Sequence, residues 1–272
     1  PNMPSREPHK SSLRPANGLS LPRGNRQGPV RTIAVTGGKG GVGKSSLAVN
    51  LAVALGGLGQ RTLLLDADLG LANVDVLLGL QPTATLADLV AGQCDISDIL
   101  LEGPNGILVV PAASGRRQMA ALSTAEHIGL VNVISTLEND LDVMVVDTAA
   151  GLSDSVLTFC QASQEVVLVV CDEPASITDA YALIKVLVRE RGVVRVQVVA
   201  NMVRDSNEGR ALYNKLVRVC ERFLTDISLN YLGCIPQDDW LRLAVQRQQP
   251  VVKAYPASPS ARAICEIANQ TA

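Results

Sequence analysis

Aromatic residues are scarce in this 272-residue chain: two Phe, one Trp and four Tyr make up 3% of it. A base-stacking platform of the kind single-strand nucleic-acid binders use would have to come from those few rings, which sets that class aside. A net positive charge is lacking too. The formal charge is −2, so no global field draws the molecule to nucleic acid or anionic lipid. Histidine is nearly absent. The six cysteines (Cys94, Cys160, Cys171, Cys220, Cys234, Cys265) form no C-x-x-C pair and no metal-ligand spacing with His127, and they read as reduced thiols of a cytoplasmic protein. Long apolar runs are missing as well. Stretches such as 143–146 and 166–171 fall far below the roughly 18 to 20 residues of a membrane span.

What is present is material for a sizeable core, 47% hydrophobic against 18% charged, which argues against disorder as the overall state. Residues 1–30 stand apart: they hold six of the 14 prolines, show no hydrophobic period and contain no apolar stretch of a secretory signal. Counted through Arg31 this segment carries +5, leaving −7 for the rest. The expectation is a flexible basic arm, solvated or docking on an acidic partner, followed by one domain over 31–272. From residue 32 onward, strand-length runs at 32–36, 62–65, 107–110, 142–146, 166–171, 195–199 and 228–234 alternate with helical spacing at 45–58, 85–91, 124–137, 153–162, 177–189 and 207–224. Such alternation predicts an α/β fold: a doubly wound, mostly parallel sheet of seven or eight strands, with ligands at the carboxyl ends of the strands.

The first strand runs into Gly37-Gly38-Lys39-Gly40-Gly41-Val42-Gly43-Lys44-Ser45-Ser46, which fits two templates. G-x-G-x-x-G fits Gly38, Gly40 and Gly43, with Asp66 in the place of a ribose-binding acid; G-x-x-x-x-G-K-[ST] fits Gly38, Gly43, Lys44 and Ser45. Lys44 followed by Ser45 separates them. A loop wrapping a triphosphate needs a cation for the β/γ oxygens and a hydroxyl for magnesium, whereas a dinucleotide turn needs neither. The glycines let successive N–H groups turn inward, and the following helix adds its positive end. Three acidic strand ends, Asp66, Asp68 and Asp147, would repel one another at the same sheet edge without a cation, so a metal site is expected there beside the Ser45 hydroxyl.

Lys39 is a second lysine that an ordinary phosphate cradle does not require. With it, residues 38–45 resemble the deviant Walker A motif of the MinD/ParA family of P-loop ATPases. The resemblance implies ATP hydrolysis to ADP and phosphate by an ATP-dependent homodimer in which Lys39 reaches the phosphates of the opposite subunit. It makes 63–68 switch I, with Asp66 near the metal and Asp68 orienting the attacking water, and 141–151 Walker B leading into switch II, with Asp147 holding Mg2+ through water, so that Ser45, Asp66 and Asp147 form the implied Mg2+ site. It assigns adenine to Asn201, through its amide, and to Pro236 and Asp238, through backbone groups; a plain turn is the other reading of both segments.

Residues 70–79, 147–151 and 173–185 are most similar to the flagellar-number regulators of the FlhG/FleN branch. That branch implies control of flagellar number and polar placement, with an FlhF-type GTPase, flagellar switch proteins and a flagellar master transcription activator as partners, in the cytoplasm or peripherally at the cell pole. No direct specific DNA binding is expected. Two departures stand out. A GTPase-activating Asp-Gln-Ala-x-x-Leu-Arg pattern survives only as Leu13-Arg14, and residues 258–272 show little basic character and no strong apolar face, so membrane association would need an amphipathic helix beyond them. A helix at 177–189 is a candidate partner surface or a plain sheet cover. Three alternatives remain: a ParA- or MinD-type partitioning or division-site ATPase, distinguished by DNA retention; an iron–sulfur electron carrier, distinguished by colour and iron; and a nucleotide-binding scaffold without turnover, distinguished by phosphate release.

Overall fold

A computed structural model describes residues 30–68, 73–112 and 141–272. Of the arm expected over 1–30 only Val30 is described, and it is buried in the core; the expected helix over 124–137, His127 and the start of the 70–79 segment lie outside these residues. Eight strands make one sheet: β1 (Arg31–Thr36), β2 (Thr62–Ala67), β3 (Leu101–Glu102), β4 (Leu108–Val110), β5 (Val143–Thr148), β6 (Glu165–Val170), β7 (Arg195–Val203) and β8 (Ser228–Pro236). Their spatial order is β3-β4-β2-β5-β1-β6-β7-β8, parallel throughout except for the β3–β4 pair. The helices are α1 (Lys44–Gly57), α2 (Val74–Leu78), α3 (Leu86–Val90), α4 (Ile96–Ile99), α5 (Asp154–Ala162), α6 (Pro174–Arg191), α7 (Ser206–Phe223), α8 (Asp239–Gln246), α9 (Val251–Ala254) and α10 (Pro259–Thr271).

Near-continuous Val, Leu and Ile make both faces of the strands apolar, and successive side chains leave in opposite directions. In β6, Val167 and Val169 join the core beneath α1, while Val166, Leu168 and Val170 join the core beneath α5, α6 and α7. Residues 47–55 of α1 are buried all round, as a helix enclosed between a sheet and further helices must be. One of those covering helices corrects the sequence reading. Residues 259–271 do carry an apolar face: Ala261, Ile264, Ile267 and Ala268 are buried with the α1 side of the core. Alanine makes that face a weak signal in a hydropathy pattern, and the core already occupies it. A Cβ at Gly233 of β8 would lie 3.1 Å from Ile267 Cγ1, so any larger residue there presses on α10.

The switch in strand order positions the site. β1 lies between β5 and β6, and the chain leaves its carboxyl end through the glycine loop into α1. Val35 of β1 and Asp66 of β2 are both register partners of Asp147 on β5. The loop and two of the acidic strand ends therefore meet at one edge of the sheet.

Candidate nucleotide site

Two glycines are required by position in the loop between β1 and α1. Gly43, the residue before α1, sits at φ 92°, and a Cβ there would collide with the Asn201 amide nitrogen. Gly38 abuts the second turn of α6, where a Cβ would collide with the Asp179 backbone and lie 2.6 Å from the Ala180 nitrogen. Other strands clamp the loop. Asn201 Nδ2 donates to the Val42 carbonyl at 2.8 Å, and the Gly151 N–H donates to the Gly37 carbonyl at 3.1 Å, which joins switch II to the loop. Gly40 and Gly41 face open space, and Ser45 and Ser46 start the first turn of α1.

Lys44 is buried at the start of α1, and burial lowers its pKa while Asp147 and Asp68 pull it back up. Asp147, one residue before the end of β5, has no exposed surface, and neither carboxylate oxygen has a well-formed hydrogen bond. Burial pushes it up to about 7, against the pull of Ser45 and Lys44. Such a carboxylate is costly unless it meets a cation, so Asp147 with Ser45 beside it fits a hydrated divalent metal. One oxygen of Asp66 accepts from the Asp68 N–H at 3.1 Å, the other from the Asn73 and Val74 N–H groups at 3.1 and 3.2 Å. Burial first, and then Asp147, raise its pKa well above the usual carboxylate range. These three hydrogen bonds tether the segment after β2 to Asp66. Asp68 follows on the same edge, partly buried.

Lys39 does not turn toward its own cradle. Its ammonium pairs with Glu173 at 2.5 Å, and that hydrogen bond raises its pKa. Glu173 is a site residue that the sequence does not single out; its signal is an acid just before the Pro174 that opens α6, three residues beyond the end of β6. Its neighbour Asp172 pairs with Lys215 of α7 at 2.7 Å, so the same short connection holds the loop on one side and a helix on the other.

On the far side of the loop, Asn201 is buried, its amide nitrogen engaged and its Oδ1 without a partner. A buried acceptor in that state suits an amine donor such as the exocyclic amine of adenine. Pro236 closes β8 as the register partner of Val203, two residues beyond Asn201. Asp238 caps α8 through the Trp240 N–H at 2.9 Å and accepts from Ser260 Oγ at 2.6 Å, so its side chain braces the C-terminal helices, while its carbonyl accepts from the Arg242 N–H at 3.3 Å.

With this geometry, comparison with known proteins is specific. Residues 33–251 match the CobQ/CobB/MinD/ParA nucleotide-binding domain family. The antiactivator FleN of Pseudomonas aeruginosa is 57% identical over 242 residues, covering 89% of this chain and 86% of that protein. The flagellum site-determining protein YlxH of Helicobacter pylori is 34% identical over 90% of this chain and 83% of its own length. Among solved structures, the septum site-determining protein MinD of Pyrococcus horikoshii, complexed with Mg-ADP, superposes with TM-score 0.74 at 26% identity, covering 89% of this chain and 96% of that one.

Proposed function

Because this chain belongs to the CobQ/CobB/MinD/ParA nucleotide-binding family, we propose that it is an ATP-dependent dimerising switch that sets flagellar number and polar placement. The observation that carries the flagellar reading is the 57% identity to an antiactivator, a protein whose name implies a partner that it restrains. The activity is that of a P-loop ATPase. Loop N–H groups and Lys44 hold the phosphate chain, the α1 N-terminus adds its dipole, and Asn201 Oδ1 accepts from adenine. Mg2+, for which Ser45 and Asp147 are the fitting residues, supplies charge neutralisation at the β and γ oxygens when bound. Asp68 orients the water that attacks the γ-phosphate. No residue of the chain needs to form a covalent bond; positioning and electrostatics carry the reaction.

Lys39 is the residue that makes this a switch. On a single copy its partner is Glu173. In the ATP dimer it exchanges that carboxylate for the phosphates of the second copy, and hydrolysis removes the charge that holds it there. The partner of the active state is a flagellar transcription activator, with an FlhF-type GTPase and switch proteins as further partners. Among the described residues no helix is long and apolar enough to cross a membrane. Flagella counted per cell in a P. aeruginosa strain lacking FleN test the reading. Supplying this chain restores the parental count, and Lys39→Ala does not; an unchanged count with the intact chain refutes the flagellar role.

A further inference from the structure

The α1 side of the sheet carries a groove of about 540 Å3 that has no part in the nucleotide site. Its walls are Leu78 and Gly79 at the end of α2, Pro104, the connection from Arg247 through Pro250 that joins α8 to α9, and Lys253 and Ala254 of α9. Arg247 and Lys253 are exposed, and neither forms a salt bridge to any described residue; no carboxylate is among the described residues that line the groove. Gln248 sits at φ 54°, a left-handed backbone rare outside glycine, opposite Gly79 at φ 64°. A Cβ on Gly79 would lie 3.4 Å from the Gln248 carbonyl oxygen, so the two turns meet closely.

Beside Arg247 an aromatic ledge continues the surface. Tyr255 lies 5.8 Å beneath the Arg247 guanidinium and packs at 4.7 Å on Trp240, the only tryptophan of the chain, which is 50% exposed. Tryptophan, tyrosine and arginine together are the side chains that anchor protein interfaces. Both walls lead back to the candidate nucleotide site. The Val252 N–H in α9 donates to Asn50 Oδ1 at 3.2 Å, and Asn50 Nδ2 donates to the Ser46 carbonyl at 2.8 Å, in the first turn of α1. On the opposite wall, α2 begins at Val74, whose N–H is held by Asp66.

We propose that this groove is a docking site for an acidic, extended segment of a partner protein, and that the nucleotide state sets its affinity through Asn50 and Asp66. The segment places carboxylates on Arg247 and Lys253 and an apolar side chain on the Trp240–Tyr255 ledge. Charge selects this occupant. Residues 1–31 of the same chain are basic and are repelled by the groove, and the net charge of −7 on the remainder disfavours the extended polyanionic surface of a membrane or nucleic acid, whereas two cations in a confined groove suit a few carboxylates. Docking itself does not depend on the ATPase reading; its nucleotide dependence does.

The test uses the full chain and a fluorescent glutamate-rich peptide with one central phenylalanine, followed by anisotropy and by Trp240 emission, with ADP and with a non-hydrolysable ATP analogue plus Mg2+. Saturable binding is expected, with an affinity differing at least about fivefold between nucleotides. Arg247→Glu with Lys253→Glu weakens it at least about tenfold without changing basal phosphate release, and Lys185→Glu with Arg189→Glu on α6 leaves it unchanged. Absence of binding, equal binding by the Arg247/Lys253 variant, or binding of phosphatidylglycerol vesicles or duplex DNA in place of the peptide overturns the docking site. Equal affinity in both nucleotides overturns the coupling. Loss of phosphate release in the intact chain with peptide binding retained faults the ATPase reading and leaves the groove standing.

Discussion

Replacing Asp147 with Asn should make the metal-free protein more stable while abolishing its activity. The carboxyl is fully buried with neither oxygen in a well-formed hydrogen bond, and its pKa stands near 7 against an ordinary 3.8. A raised pKa means that the folded state prefers the protonated acid. Its stabilising contribution is complete below the unfolded pKa, declines as pH rises toward the folded pKa, and is gone above it. The gap of roughly three units corresponds to about 4 kcal/mol between pH 4 and pH 8, an upper figure since water entry relaxes it. For a domain of this size each kcal/mol moves Tm by about 2 to 4 °C. Melting curves in EDTA without nucleotide, from pH 5 to pH 8, should show the Tm of Asp147→Asn relative to the parent rising with pH by several degrees. In Mg2+ and ADP the order reverses, because the carboxylate meets its cation only in the parent. A Tm difference between the two that is flat across this pH range refutes the argument that Asp147 holds an uncompensated charge awaiting metal.

Other perturbations separate the parts of the site. Gly43→Ala forces a side chain into a backbone at φ 92° and into the Asn201 amide, so it should cost roughly 1 to 3 kcal/mol in denaturant melts and weaken ATP binding; Gly40→Ala, which meets open space, should leave melting unchanged. Asn201→Ala removes the 2.8 Å bond to the Val42 carbonyl and the acceptor for adenine; calorimetry should show ATP affinity falling about tenfold, with stability lower by about 1 to 2 kcal/mol. Glu173→Ala frees Lys39 from its exposed pair. Sedimentation should then find ATP-dependent dimers at lower protein concentration, with the melting temperature of the single copy unchanged.

What was legible in the sequence is what local pattern encodes. The Gly38–Ser45 signature, the apolar strands and the acids at their ends all act at short range, and the sheet brought Asp66 and Asp147 into register as the strand positions required. Contacts across the fold were not legible. Nothing near Asp66 announces that three backbone N–H groups, one of them six residues beyond the end of its strand, take up its oxygens. Glu173 and Lys39 are 134 residues apart, and only the packing of α6 against Gly38 makes them neighbours. The 259–271 helix is faint in the sequence because small side chains that pack tightly add little hydropathy, and the two-residue β3 is too short to carry a period.

The most direct test of the account is the mass of the protein in solution, measured by light scattering on a sizing column, with ADP and then with a non-hydrolysable ATP analogue and Mg2+. The account predicts a single copy of 28.7 kDa with ADP, twice that mass with the analogue, and a single copy of Lys39→Ala in both. One mass in both nucleotides, or a Lys39→Ala dimer as stable as the parent's, would contradict it.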